Sequence, residues 1–183
     1  MAEHHTAIVV GGGQSGLATA YYLRRFKVDF LVLDNQEEPG GAWLHAWPSL
    51  TLFSAAGFSN LPGWPMPQYP GYPPARHVID YLEHYERRYD LPVRRPVRVR
   101  SVSLDGGVFH LDTSAGQFTA EHVVRALRAP LSWHLPGTPV ALVDLPRSRT
   151  ILRREGRGGR WGELGCPDRR RPHWDVGGHM VHT

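Results

Sequence analysis

The sequence predicts an α/β fold, and three observations near its start carry that reading. Ala7-Ile8-Val9-Val10 is an apolar run that stops at Gly11-Gly12-Gly13-Gln14-Ser15-Gly16. Leu17-Ala18-Thr19-Ala20-Tyr21-Tyr22-Leu23 continues as a helix with an apolar face, and Phe30-Leu31-Val32-Leu33 is a second short apolar run that ends on Asp34. Strand, glycine turn, helix and strand in that order make a β-α-β unit of Rossmann type.

Gly11, Gly13 and Gly16 fit G-x-G-x-x-G, and each glycine has a mechanical reason. One makes the tight turn, one lets backbone approach a pyrophosphate, and one lets the helix pack closely on the strand. The helix N-terminus aims free N–H groups and its positive dipole end at the anion. Glycine-rich turns are common, so the setting decides: Asp34 follows at the distance of the acid that takes a ribose hydroxyl. An acid there, rather than an Arg, favours a free ribose 2′-hydroxyl, hence FAD or NAD over NADP.

The following segment narrows the cofactor. Pro39-Gly40-Gly41-Ala42-Trp43, then Trp47-Pro48-Ser49-Leu50-Thr51-Leu52-Phe53-Ser54 and Leu61-Pro62-Gly63-Trp64-Pro65-Met66-Pro67, have no place in a simple NAD dehydrogenase. Together with the glycine turn, this series resembles the flavin-containing monooxygenase-like family, in its bacterial FAD/NAD(P)-binding branch. The resemblance runs from about Ala7 to Val124. It implies FAD contacts at Gly11, Gly13, Ser15, Gly16, Asp34, Gly40, Gly41 and Trp43, with the Gly-Gly-x-Trp stretch along the FAD near its flavin end. Where well-studied members carry an Asn near the flavin, this chain reads Leu52-Phe53-Ser54-Ala55-Ala56, so the Asn's role is not carried over to Ser54. Trp47 and Trp64 read as core or loop-anchoring aromatics, and Pro62 to Pro74 as an extended ordered loop.

Ala75 to Tyr89 is helical, with Val78, Leu82 and Tyr85 on its apolar face and Glu83-Arg87 as an i,i+4 pair. His77 and His84 read as solvated helix histidines. Short alternating runs follow at 97–102, 108–111 and 117–119, with hairpin turns at Asp105-Gly106-Gly107 and Ser114-Ala115-Gly116. These resemble the three-stranded antiparallel crossover of flavoproteins with two dinucleotide domains, which implies Val97 or Val99 near the adenine. Glu121-His122-Val123-Val124 is expected to begin the parallel strand that follows.

Beyond Val124 the pattern fails. The family's Ala-Thr-Gly-Thr-Trp turn is replaced by Arg125-Ala126-Leu127-Arg128-Ala129-Pro130. Residues 1–124 hold ten Lys+Arg against twelve Asp+Glu, while residues 125–183 hold eleven Arg against five acids and no lysine. The net charge of +4 therefore belongs to the tail. A basic, Gly/Pro-rich tail is compatible with a nucleic-acid arm, but this one lacks interleaved aromatics and any RNA-binding motif.

A shifted reading frame explains the tail better. Read from the second base of each codon, the degenerate codons from Leu135 permit F-x-G-x-x-x-H-x-x-x-Y, with Phe, Gly, His and Tyr overlapping Leu135, Gly137, Ala141 and Leu145. That is the flavin-monooxygenase identifying sequence. From Arg157 to Arg170 the same frame permits V-V-V-G-G-x-N-S-G-A-Q-I-A-A, the family's second dinucleotide motif, used for NADPH. Codons overlapping Glu163, Cys166 and Asp168 are restrictive, allowing Asn/Ser, Ala/Val and Ile/Thr, and all three accept the family residue. The seam falls within 125–134.

The expectation is therefore layered. Residues 1–124 form a partial Rossmann-type FAD-binding domain with an antiparallel β crossover, and residues 125–183 an irregular, Arg/Gly/Pro-rich tail, disordered or out of frame. The resemblance implies a parent oxidoreductase of monooxygenase type using FAD, NADPH, O2 and a small-molecule substrate with a nucleophilic N or S atom or a ketone. This chain reads as a non-catalytic remnant of that enzyme, retaining part of the FAD site, and no residue is assigned as acid, base or nucleophile. At 183 residues there is room for one such domain rather than two. Cys166 is the single cysteine, so an internal disulfide is excluded. No signal peptide, membrane span, metal-ligand spacing or nucleic-acid partner is read, and a cytoplasmic location is the default.

Overall fold

The computed structural model describes residues 2–126 and 132–134, all within the first of two units, Met1–Ser148. Strand β1 (Glu3–Val10) leads into helix α1 (Gln14–Arg25), and β2 (Phe30–Leu33) returns parallel to β1. A long loop with two short 3₁₀ turns, Gly41–His45 and Ala56–Phe58, reaches helix α2 (Ala75–Arg88). Then come β3 (Val93–Arg94), β4 (Val99–Asp105), β5 (Val108–Thr113), β6 (Gly116–Arg125) and β7 (Ser132–His134). They form one sheet in the order β3-β2-β1-β6-β5-β4-β7.

The pairing register sorts the core. Ala7 lies opposite Phe30 and Val9 opposite Val32, and these four face the helices with Leu17, Ala20, Val78, Leu82 and Tyr85. Ile8, Val10, Leu31 and Leu33 face the other way and meet Val97, Val123 and, from the antiparallel segment, Val102, Phe109, Leu111 and Phe118. Alternation at period two thus buries both faces of β2 and of Ala7–Val10 in β1, which is why these stretches read as continuous apolar runs.

Strand β6 joins the two halves. Its first residues pair antiparallel with β5, from Phe109↔Ala120 to Thr113↔Gly116. On its other edge it pairs parallel with β1, from Glu3↔Phe118 to Val10↔Arg125, so residues 118–120 are paired on both sides. The runs at 117–119 and 121–124, taken separately in the sequence, are therefore one ten-residue strand. It ends one residue beyond the expected boundary at 124, and the Ala126 N–H carries the ladder on to the Val10 carbonyl at 2.8 Å. Farther on, inside the expected irregular tail, β7 pairs parallel with β4 through Ser101↔Ser132.

Both helices have bounds close to those expected, and the Glu83–Arg87 pair forms at 2.8 Å. Helix α2 starts directly after Pro73-Pro74 and buries Val78, Tyr81, Leu82, Tyr85 and Glu86, a stripe at i, i+3, i+4, i+7 and i+8. The proline-rich loop is tied to that stripe. Tyr81 accepts the Leu61 N–H at 2.8 Å and donates to the Trp64 carbonyl at 2.7 Å, and Tyr85 donates to the Pro62 carbonyl at 2.6 Å. Trp64 packs on Tyr81 at 5.2 Å and anchors the loop as expected, whereas Trp47 stands 62% exposed and is neither core nor anchor. His77 meets the Pro67 carbonyl at 2.9 Å, and His84 the Asp80 carbonyl at 2.6 Å. Among the described residues, no helix is long and apolar enough to cross a membrane, and there is no group of three or more potential metal ligands.

Candidate dinucleotide site

Three chain segments meet at the C-terminal ends of β1 and β2. The first is the glycine turn. The Gly11 N–H donates to the Leu33 carbonyl at 2.8 Å, which bends the chain over the end of β2, and Gly11 has φ 110°, a conformation glycine favours. A Cβ on Gly16 would lie 1.9 Å from the Gly11 carbonyl oxygen, so close packing of helix on turn excludes a side chain there. Gly13 is the N-cap of α1, and no side chain caps that helix. The first-turn N–H groups are thus served by no capping side chain, the condition for an anion seat.

The second segment is Gly40-Gly41-Ala42-Trp43. Gly41 has φ 55°, and a Cβ on it would lie 2.8 Å from Gly13 Cα, so the two glycine segments touch backbone to backbone. Trp43 is half-buried, with its indole N–H 3.5 Å from Gln14 Oε1 at the first position of α1. Ser15 is exposed on the first turn of the helix. All eight residues singled out in the sequence therefore fall on the turn, on the first turn of α1, at the end of β2 or on the adjoining loop. Ser54 is hydrogen-bonded to Ser59 at 2.8 Å. Val97 is buried and donates its N–H to the Asp34 carbonyl at 2.7 Å, while Val99 is buried in the core on the antiparallel side.

The third segment brings Arg95, which the sequence does not single out, to Asp34, which it does. Asp34, 3% exposed, accepts the Arg95 Nε–H at 2.9 Å on Oδ2. The two terminal nitrogens of Arg95 donate to Glu86 of α2 at 2.8 and 2.5 Å. Burial pushes the Glu86 carboxyl up, against the opposing pull of Arg95. Burial also lowers Arg95, but its bonds to Glu86 and the charge of Asp34 outweigh that and leave it raised. Gly12 makes room for this cluster: a Cβ there would lie 2.6 Å from Asp34 Oδ2 and 2.9 Å from Arg95 Nη2. The spare glycine in Gly11-Gly12-Gly13 was the only sequence signal, since nothing local marks Arg95 or Glu86.

A β-α-β crevice with an uncapped helix N-terminus, two touching glycine segments and a buried acid at the end of β2 defines a dinucleotide-binding domain. The pyridine nucleotide-disulphide oxidoreductase family model matches residues 8–127. A flavin-containing monooxygenase from Stenotrophomonas maltophilia aligns with a TM-score of 0.66 and 48% identity, over 68% of this chain and 38% of its own. A CzcO-like oxidoreductase of Geobacillus kaustophilus is 35% identical over 120 residues, 65% of this chain and 34% of its own. A steroid monooxygenase bound to NADP, at 23% identity and a TM-score of 0.62, shares the fold. The chain belongs to the pyridine nucleotide-disulphide oxidoreductase family, within its flavin monooxygenase-like members. The matched segment spans little more than a third of these relatives, 38% of the Stenotrophomonas enzyme and 34% of the Geobacillus protein. FAD and NADPH are the cofactors of the parent family.

Proposed function

We propose that residues 2–126 bind FAD through its ADP half, as part of a parent NADPH-dependent monooxygenase. The supporting observation is the contact of Gly13 with Gly41 at the uncapped start of α1, beside the buried Asp34. On this reading the N–H groups of the turn and of α1 hold the pyrophosphate, and Asp34 takes a ribose hydroxyl. Gly40, Gly41 and Trp43 extend the seat from the pyrophosphate toward the flavin. When bound, FAD supplies the redox chemistry by which NADPH and O2 oxidise a small-molecule substrate in the parent, and the chain binds, orients and excludes water.

The chain as translated is read as inert in turnover. The tail's composition and the shifted-frame matches at Leu135–Leu145 and Arg157–Arg170 support a frameshift in 125–134, and those residues lie outside the described ones except for 125, 126 and 132–134. Flavin absorbance of the purified protein, with NADPH oxidation and O2 uptake, separates binding from catalysis. Bound flavin without turnover supports the reading, and O2-dependent NADPH oxidation overturns its second part. The nucleotide sequence across codons 125–134 tests the frameshift, which fails if the shifted frame closes early or lacks the second glycine motif.

A further inference from the structure

An arginine beside the ribose end of a dinucleotide crevice is the usual seat for a 2′-phosphate, and an acid there rejects one. This chain has both. Both groups stand where a Gly12 side chain would be, a Cβ there lying 2.9 Å from Arg95 Nη2 and 2.6 Å from Asp34 Oδ2. The Arg95 guanidinium is bonded on three sides: Nε to Asp34, Nη1 and Nη2 to Glu86. The side chains of Arg95, Asp34 and Glu86 are only 11%, 4% and 10% exposed, so little water screens the three charges. Two carboxylates around one guanidinium leave a net negative cluster beside the turn.

We propose that Glu86 sets nucleotide specificity at this site by silencing Arg95, so that adenosine nucleotides carrying a 2′-phosphate are rejected. Without Glu86, Arg95 has two terminal nitrogens free to meet a phosphate in the fork geometry that guanidinium and phosphate share. With Glu86, one N–H of each terminal nitrogen is held by its carboxylate, the guanidinium charge is outweighed by two carboxylates, and a 2′-phosphate meets uncompensated negative charge. Glu86 acts through Arg95 and is a positioning residue. The inference rests on the reading of the crevice as a nucleotide site.

The test is a matched pair of probes, ADP-ribose and 2′-phospho-ADP-ribose, titrated calorimetrically into the full chain. The wild-type protein is expected to bind ADP-ribose at least about tenfold more tightly, the effect of one uncompensated charge contact. Glu86→Gln is expected to shrink that ratio by about tenfold, with circular dichroism unchanged. The double variant Glu86→Gln/Arg95→Gln removes the phosphate acceptor as well and is expected to restore rejection. A ratio near one in the wild type overturns the proposal, as does a folded Glu86→Gln that keeps the wild-type ratio or a double variant that accepts both ligands. Failure of the wild type to bind either probe overturns the nucleotide-site reading itself, and the proposal with it.

Discussion

Gly41 touches Gly13: a Cβ on Gly41 would sit 2.8 Å from Gly13 Cα, and Gly41 also holds φ 55°. The loop after β2 is thereby pressed on the start of α1. Gly41→Ala meets two obstacles at once, an unfavourable left-handed backbone of about 1–2 kcal/mol and a clash with backbone. The expected outcome is a lower urea midpoint together with at least a tenfold loss of FAD affinity. A variant with unchanged affinity would show that the contact does not shape the crevice.

Gly16 is still less permissive, because its Cβ would lie 1.9 Å from the Gly11 carbonyl oxygen. Gly16→Ala must push helix from turn, and FAD titration is expected to show affinity falling further than in Gly41→Ala. Equal or smaller loss would mean that the turn yields without consequence.

These glycines, Asp34 and the parallel register of β1 and β2 were legible because each leaves a local trace: a run, a spacing, an apolar block. The ion cluster was not. Arg95 lies 61 residues from Asp34 and nine from Glu86, and an isolated Arg, Asp or Glu reads as a solvated charge until the fold buries it. The continuity of β6 was obscured for a related reason. The strand pairs with β5 over 116–120 and with β1 over 118–125, and its burial breaks step at the exposed Glu121-His122 between Ala120 and Val123.

Tyr81 serves two loop groups with one hydroxyl, accepting from Leu61 and donating to Trp64. It is 2% exposed, so Tyr81→Phe leaves a buried N–H and a carbonyl without that partner. The expected cost is about 1–3 kcal/mol, read from urea denaturation, with Tyr85→Phe smaller because one acceptor is lost. Equal costs for the two would contradict the double role of Tyr81.

Glu3 ties the start of β1 to Arg94, through bonds of 2.6 and 3.0 Å, and meets His5 at 3.0 Å. The Arg94 hydrogen bond, followed by that of His5, holds its carboxyl down at about 2, from an ordinary 4.5. A carboxyl lowered on folding stabilises the fold above its unfolded value and loses that effect as pH falls toward the folded one. The contribution is therefore complete above about pH 4.5 and fades toward pH 2. Glu3 is 44% exposed, and screening limits the effect to about 1 kcal/mol or less. Urea midpoints of wild type and Glu3→Gln are expected to differ at pH 6 and to converge near pH 2. Parallel profiles would assign the contact no weight.

The most direct test of the central claim is fluorescence titration of the flavin-free chain with FAD, with ADP as competitor. Saturable binding of one FAD per chain, displaced by ADP and weakened at least tenfold in Asp34→Ala, is the predicted result. A folded protein that binds neither FAD nor ADP, or whose FAD is not displaced by ADP, would contradict it.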